Sequence, residues 1–294
     1  MAEQNQIWTI GRILKWTEQY FGQKGIESPR LDAEVLLSHV LGKQRIYLYV
    51  HFDEPLQAEE LALYRAMIRQ RVEHMPVAYI LGEKEFMGLT FKVTPDTLVP
   101  RPDTEILVQA AVDELKAQTE GNEEPARLVD IGTGSGAVCL SVLSLLDGVT
   151  ADTVDISPAA RAVAEENAAA LGLEARVRFH TGDLLAPVAG QQFTAILSNP
   201  PYIPVADIAE LAPEVRCKEP MTALAGGADG LDFYRRLCME APAMLTERGF
   251  MAFEVGIHQA EAVAALAEDN PLIGRTEIRK DYAGIDRVVL AWRK

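Results

Sequence analysis

The run Ser-Asn-Pro-Pro-Tyr at residues 198–202 directly follows an apolar segment, Phe193 to Leu197, that predicts a buried strand. Two consecutive prolines fix φ and remove backbone donors, so nearby carbonyl groups keep free lone pairs. The side-chain oxygen of Asn199 and the carbonyl of Pro200 could then accept both N–H bonds of a planar NH2 group. Tyr202 could pack on its flat face. The stretch therefore predicts a site that orients an amide or amine nitrogen.

A second candidate site lies at the end of an earlier apolar strand, in the run Asp-Ile-Gly-Thr-Gly-Ser-Gly from Asp130 to Gly136. Three glycines let a ligand approach the backbone, with a helix N-terminus behind them. The GxGxG spacing differs from the GxGxxG of dinucleotide sites, and no GK[ST] follows. Asp155, at the end of the next strand, could accept both ribose hydroxyls of an adenosine without phosphates. The alternative is a tight turn, with Asp155 as a helix N-cap.

Together these segments resemble the S-adenosylmethionine site of the Rossmann-like methyltransferases. The Asn-Pro-Pro-Tyr run matches the signature of members that methylate adenine, cytosine or glutamine nitrogens, with Asn199, Pro200 and Tyr202 as catalytic residues. In this resemblance Asp130 meets the polar end of the cofactor, Asp183 contacts adenine and Leu184 flanks the ring. The implied cofactor-binding residues are Asp130, Gly132, Thr133, Gly134, Ser135, Gly136, Asp155, Asp183, Leu184 and Asn199.

The elements that position these residues change in character along the chain. Apolar residues at helical spacing predict a small helical domain over residues 1–75, and short strand-like pieces between glycines and prolines predict a hairpin linker over 76–102. From 103 to 294 strands and helices alternate, which predicts an α/β catalytic domain with a mostly parallel sheet and an antiparallel pair at one edge. The methyltransferase resemblance implies seven strands.

Composition narrows the class of partner and the location. Asp plus Glu number 43 against 28 for Lys plus Arg, a net charge of −15 that disfavours nonspecific nucleic-acid binding and suits a basic protein partner. Three scattered cysteines predict free thiols in a reducing compartment. No apolar run reaches membrane-spanning length, so we expect a cytoplasmic protein with no membrane contact. The five histidines lack ligand spacing, so we expect no metal.

Further motifs, in order along the chain, resemble the HemK/PrmC family of peptide chain release factor glutamine methyltransferases. They are PVAYILGEKEFMG (76–88), LVPRPDTE (98–105), EVRCKEPMTAL (214–224), GGADGLDFYRRL (226–237) and DYAGIDRVVLA (281–291). The resemblance implies that the helical domain recognises class I release factors and that the glutamine of their GGQ motif is methylated by S-adenosylmethionine. We expect a monomer. The implied substrate-binding residues are Asn199, Pro200, Pro201, Tyr202, Arg101 and Glu105.

One departure from the family pattern is visible, since Cys217-Lys218 stands where many relatives have an aromatic residue before Glu219-Pro220. Three alternatives stay open at this point. The acceptor could be a glutamine of a ribosomal protein, which uses the same motifs, or a nucleic-acid amine, which the net charge disfavours. A non-catalytic scaffold that binds the cofactor is the third alternative, and it would tolerate the loss of Asn199.

Overall fold

The computed structural model describes residues 7–119 and 125–294. The helices are α1 Ile10–Gln23, α2 Pro29–Leu41, α3 Arg45–Val50, α4 Ala58–Val72, α5 Val77–Leu81, α6 Glu105–Thr119, α7 Ala137–Leu145, α8 Pro158–Ala170, α9 Pro213–Lys218, α10 Asp232–Glu240 and α11 Ala260–Glu268. The strands are β1 Glu83–Phe86, β2 Leu89–Lys92, β3 Arg127–Ile131, β4 Thr150–Asp155, β5 Val177–Thr181, β6 Phe193–Ser198, β7 Leu245–Glu254, β8 Ile273–Lys280 and β9 Asp286–Arg293.

These elements form two compact units. The first comprises Met1–Gly82 together with Pro213–Lys218, and the second comprises Glu83–Ala212 together with Glu219–Lys294. The predicted boundaries after residues 75 and 102 stay predictions. No helix in the described ranges combines the length and the apolar character needed to cross a membrane.

The first unit is a helical bundle with local start and stop signals. The Thr9 hydroxyl caps α1 by accepting a hydrogen bond from the Arg12 amide, Pro29 occupies the first turn of α2, and Gly42 ends that helix in the left-handed conformation. One face of each long helix supplies the core, which includes Ile13, Leu14, Phe21, Leu36, Leu37, Tyr64 and Ile68. The bundle is thus stabilised by burial of apolar faces that recur at helical spacing.

The second unit is built on a seven-stranded sheet in the order β5-β4-β3-β6-β7-β9-β8. The strands from β5 to β7 pair in parallel, whereas β9 is antiparallel to both β7 and β8. Alternate positions along the strands contribute buried side chains to two separate apolar clusters. The predicted α/β fold with a mostly parallel seven-stranded sheet and a helical N-terminal region is confirmed.

Two details concern the edges of this unit. The hairpin β1–β2 turns at Met87 and Gly88, which both have positive φ (52° and 74°), as a two-residue hairpin turn requires. Helix α10 ends at Glu240, and a 3₁₀ turn follows from Ala241 to Met244. Pro242 lacks the backbone N–H that a continuing α-helix would use.

Candidate active site

A cavity of about 430 Å³ lies at the carboxyl ends of the central strands, and all its lining residues belong to the second unit. Its volume is in the range of small-molecule sites. The register explains why the two predicted motifs meet there, since Ile131 at the end of β3 pairs with Ser198 at the end of β6. The predicted residues that line the cavity are Arg101, Gly132, Thr133, Gly134, Ser135, Asp155, Asp183, Leu184, Asn199, Pro200 and Pro201.

The glycine loop holds the carboxylate of Asp155 at the cavity wall. The amide of Gly134 donates to Asp155 Oδ2 at 2.8 Å, and the amide of Ser157 donates to Oδ1 at 2.9 Å. Gly134 adopts φ +58°, and a Cβ there would meet open space. Ser157 is the N-cap residue of α8, because its hydroxyl accepts from the Ala160 amide. Each carboxylate oxygen keeps a second lone pair, so Asp155 fits a pair of ribose hydroxyls.

Asp130 and Gly136 belong to the same motif but do not line the cavity. Asp130 is 1% exposed, and burial raises the pKa of its carboxyl to about 7, although the backbone N–H of Cys139 donates to it. A Cβ on Gly136 would lie 2.8 Å from Leu140 Cδ1 and 3.4 Å from Ala164 Cβ. In this structure Asp130 faces the start of α7, and Gly136 allows α7 to pack close to α8.

A buried asparagine that the motifs did not reveal joins the hairpin to the glycine loop. The Asn167 side chain accepts a hydrogen bond from the Lys92 amide at 2.7 Å and donates to the Lys92 carbonyl at 3.0 Å. It also donates to the Ser135 carbonyl at 2.8 Å. The Lys92 ammonium pairs with Glu166 on the same helix. The conformation of the loop is therefore supported from the hairpin side by a fully paired amide.

Asp183 and Leu184 line the wall next to α10. Both carboxylate oxygens of Asp183 accept hydrogen bonds from Arg236, at 3.0 and 2.7 Å, and this contact lowers the pKa of Asp183. Leu184 has a positive φ of 46°. Phe233 of α10 lines the same cavity. The predicted adenine end of the site thus combines apolar side chains with one carboxylate that stays ionised.

Asn199 and Pro200 present the acceptor groups that their sequence predicts. The Asn199 amide nitrogen donates to the Thr104 hydroxyl at 3.2 Å, which leaves the side-chain oxygen Oδ1 for a ligand. Among the residues that the structure describes, no backbone amide donates a hydrogen bond to the Pro200 carbonyl. Ser198 anchors the end of β6, since its hydroxyl donates to the Ile131 carbonyl at 2.7 Å. A planar NH2 group could therefore find two acceptors side by side.

The chain after Pro200 is held against a glycine-rich segment. A Cβ on Gly226 would lie 2.7 Å from the Pro201 carbonyl oxygen, and one on Gly230 would lie 2.2 Å from that of Tyr202. Only glycine fits such an approach. The Gln259 side chain also donates to the Tyr202 carbonyl, at 2.9 Å. The GGADG run thus shapes the backbone that presents the Pro-Pro pair.

Tyr202 follows the Pro-Pro pair and lies at the edge of the apolar core of the second unit. Its ring packs against the apolar cluster that contains Tyr234 and Phe253, and burial raises the pKa of its hydroxyl to about 12. Tyr202 does not line the cavity in this structure. The predicted packing of Tyr202 on the flat face of an acceptor group stays a prediction.

The residues predicted from the Arg-Pro-Asp-Thr-Glu run divide between two tasks. Arg101 lines the cavity and donates to the buried carboxylate of Glu219 at 2.5 Å. Glu105 does not line the cavity, and its Oε1 accepts a hydrogen bond from the Met87 amide in the hairpin turn at 3.2 Å. Glu105 therefore stabilises the hairpin turn, whereas Arg101 lies at the cavity wall, where a ligand could contact it.

Glu254 is a site residue that sequence reasoning missed. It ends β7, is 1% exposed, and its carboxyl interacts with the side chains of Thr104 and Asn199. Burial raises the pKa of Glu254 to about 7, although Thr104, Arg287 and Asn199 each lower it. Its signal in the sequence was a single acidic residue at the end of the apolar strand FMAFE. In residues 7–119 and 125–294 no group of three or more His, Cys, Asp or Glu side chains could hold a metal ion.

Comparison with known proteins identifies the family of this chain. Residues 12–82 match the profile of the PrmC N-terminal domain, and residues 104–213 match that of the methyltransferase small domain. The release factor glutamine methyltransferase of Geobacter sulfurreducens is 44% identical over 98% of this chain and 98% of its own length. The chain belongs to the release factor glutamine methyltransferase family.

A second member of this family, from Moorella thermoacetica, is 43% identical over 92% of this chain and 93% of its own length. Among solved structures, a methyltransferase from Pyrococcus furiosus superposes with a TM-score of 0.52 at 17% identity, covering 70% of this chain and 89% of that one. The predicted family and the methyltransferase fold are thereby confirmed. The cavity described above is the candidate active site of a release factor glutamine methyltransferase family member.

Proposed function

We propose that this protein transfers a methyl group from S-adenosylmethionine to the side-chain amide nitrogen of the glutamine in the GGQ motif of class I release factors. The observation that carries the proposal is the pair of acceptors at residues 199 and 200, next to the glycine loop. Asn199 Oδ1 and the Pro200 carbonyl would each accept one N–H bond of the glutamine amide. The sequence similarity to release factor glutamine methyltransferases over nearly the whole chain supports this choice of acceptor.

The glycine loop and Asp155 fit the proposed cofactor. The backbone from Gly132 to Ser135 would lie close to the cofactor. The Asp155 carboxylate would accept hydrogen bonds from its ribose hydroxyls, and Leu184 would pack against its adenine ring. When bound, S-adenosylmethionine supplies an electrophilic methyl group on a sulfonium. A role of Asp130 at the polar end of the cofactor would be indirect, through the loop above it, because its carboxyl does not reach the cavity wall.

The chain's own part in the reaction would be positioning and electrostatics. An amide nitrogen is a poor nucleophile because its lone pair is delocalised into the carbonyl. Two fixed acceptors turn the NH2 group and stabilise the positive charge that develops as the nitrogen takes the methyl group. One N–H proton leaves the nitrogen after transfer, so no side chain has to remove it beforehand. Arg101 at the cavity wall is available to the acceptor protein.

The proposal includes the setting in which the enzyme acts. The three cysteines are free thiols, with Cys139 and Cys238 buried, which supports a reducing compartment and hence the cytoplasm, where release factors act. The acidic net charge of −15 suits a protein acceptor better than a phosphate backbone. We propose that the protein acts as a monomer.

Mass spectrometry of purified release factor after incubation with the protein and S-adenosylmethionine tests this function. A single methyl group on the GGQ glutamine is expected. If the cofactor binds but the release factor gains no methyl group, the proposed acceptor is wrong, and ribosomal proteins and then RNA or DNA should be assayed in the same way. Incorporation into nucleic acid alone would overturn the choice of a protein acceptor.

A further inference from the structure

Behind the acceptor asparagine lies a short polar relay formed by Thr104 and Glu254. The Asn199 amide nitrogen donates to the Thr104 hydroxyl at 3.2 Å, and the Glu254 carboxyl interacts with that hydroxyl and with the Asn199 side chain. Thr104 is 5% exposed and Glu254 is 1% exposed. Glu254 Oε2 has no hydrogen-bond partner among the described residues. The proposed methyl transfer uses neither side chain directly.

The single proton of the Thr104 hydroxyl decides how the side-chain amide of Asn199 is oriented. A threonine hydroxyl has a single proton to donate, and an ionised carboxylate takes it in preference to a neutral group because the bond is charge assisted. The Thr104 oxygen then offers only lone pairs to its other neighbour. Asn199 must meet it with its NH2 group, so the amide oxygen is the atom presented to a ligand. The orientation of a nearly symmetric side chain is thereby decided.

We propose that Glu254 and Thr104 are positioning residues that hold Asn199 with Oδ1 toward the acceptor nitrogen, and that Glu254 does this in its ionised form. The inference rests on the proposed function and deepens it. Protonated Glu254 can donate its own proton to the Thr104 oxygen. The Thr104 proton is then free to bond Asn199 Oδ1, so the amide can flip and point its NH2 at the NH2 of the acceptor. Two donors cannot bond each other, and the flipped state is inactive.

The charged groups around Glu254 place its titration near neutral pH. Burial raises the pKa of the carboxyl to about 7, Arg287 on β9 lowers it, and Asp103 next to Thr104 raises it. Arg287 is itself paired with Asp103 and Asp281, at 3.1 Å each. Tyr202, whose pKa is about 12, and Tyr234, whose pKa is well above 10, stay neutral in this range. The active, ionised form therefore grows as pH rises through about 7.

The test is the single-turnover rate of methyl transfer to release factor between pH 6 and 9. For the unaltered protein we expect a rate that rises roughly tenfold from pH 6 to pH 8 and then levels off, as a single ionisation requires. Glu254→Gln should flatten this profile and lower the rate at pH 8 by about tenfold, because the glutamine NH2 group, like the protonated carboxyl, donates to the Thr104 oxygen and favours the flipped orientation of Asn199. Its cofactor Kd and its KM for release factor should stay within about threefold of the unaltered values.

Variants at Thr104 and a matched buried carboxylate complete the design. Thr104→Val should lower the rate at pH 8 about tenfold, and Thr104→Ser, which keeps the hydroxyl, should restore it to within about threefold. Asp152→Asn removes another buried carboxylate of the sheet, paired with Arg127 and His180 and outside the cavity, and should keep the rise of rate with pH. The serine rescue separates positioning by the hydroxyl from simple filling of space.

The possible results are distinct. No methyl transfer by the unaltered protein at any pH would overturn the proposed function and this inference with it. Methyl transfer whose pH profile is unchanged by Glu254→Gln would overturn the role of Glu254 alone. Loss of cofactor affinity in step with rate in Glu254→Gln and Thr104→Val, without rescue by Thr104→Ser, would show that these residues support the fold and do not position Asn199.

Discussion

The residues at the two ends of the cavity are positioned by different kinds of interaction. At the cofactor end, backbone amides of Gly134 and Ser157 hold the Asp155 carboxylate at 2.8 and 2.9 Å. At the acceptor end, side chains meet from distant parts of the chain, since Asn199 and Thr104 are 95 residues apart and bonded at 3.2 Å. The cofactor end therefore depends on backbone geometry, and the acceptor end on hydrogen bonds between side chains.

Because of this difference, substitutions should change either the affinity for the cofactor or the rate of methyl transfer, depending on the end at which they are made. A backbone amide survives any side-chain substitution, so a change at the cofactor end mainly removes a contact to the ligand. At the acceptor end, the side chains orient one another, so a change there would alter the polar groups that meet the reacting nitrogen. Substitutions at the two ends should affect different kinetic constants, in the following order of size.

The largest effect is expected for Asn199→Ala. The substitution removes an acceptor that faces the nitrogen as its positive charge develops, and such losses typically cost about 10² to 10³ in turnover. Because the glycine loop is untouched, the cofactor Kd should stay within about threefold. Turnover by quenched-flow assay and cofactor binding by calorimetry check this. An equal loss in both constants would erase the distinction between the two ends.

Asp155→Ala should show the converse. The loss of charge-assisted hydrogen bonds to the ribose should weaken cofactor binding by about 1.5 to 3 kcal/mol, while turnover at saturating cofactor falls much less. Asp155→Asn serves as the control, since the amide oxygen can still accept from the Gly134 amide. Unchanged affinity in the alanine variant would reject the ribose contact.

A paired glycine experiment probes the backbone of the acceptor end. Gly230 and Gly190 have nearly the same φ, +77° and +78°, but only at Gly230 would a Cβ collide, at 2.2 Å from the Tyr202 carbonyl oxygen. Both alanine variants carry the strain of positive φ, about 1 to 2 kcal/mol. Only Gly230→Ala should also shift the Pro-Pro segment and lower turnover, by roughly tenfold. Thermal unfolding midpoints and turnover of the two variants make the comparison, and equal turnover would show that the collision is absorbed elsewhere.

The smallest effect is expected at Asp183. Its ion pair with Arg236 is largely exposed, and exposed pairs contribute at most about 1 kcal/mol. If Asp183 contacts adenine as the family resemblance implies, Asp183→Asn should weaken cofactor binding about two- to fivefold, and Arg236→Gln should change it less. Larger weakening by Arg236→Gln would mean that the arginine, and not the carboxylate, borders the cofactor.

The fold was predictable because its determinants are local. Alternating strands and helices require a covered, mostly parallel sheet, and the carboxyl ends of its strands share one edge. Gly132 to Ser135, Asp155 and Asn199 follow such strands, and they line a common cavity as the sequence predicts. Asp130 and Gly136 do not line the cavity, and their predicted cofactor contact stays a prediction, because a motif does not say which of its members face the ligand and which face the helix behind it.

The remaining site residues depend on contacts that no local pattern encodes. The ring of Tyr202 packs against the core, and Gly256 leaves room beside it, since a Cβ there would lie only 3.0 Å from Tyr202 Cδ2. Glu105 is used by the hairpin turn, and Glu254 gains its role from Thr104, which lies far from it in the chain. Such pairings become visible only when the strands are assembled.

Strand β9 is the last strand in chain order but lies between β7 and β8 in the sheet, so the sheet can be completed only after the end of the chain has been synthesised. Strands β3, β4 and β5 can pair as soon as residue 181 has left the ribosome, so the cofactor end can form early from contacts of short sequence separation. Arg287, which balances the charge of Glu254, enters the sheet only with its last strand in chain order. A nascent chain would thus pass through a stage that can bind cofactor before its acceptor end is complete.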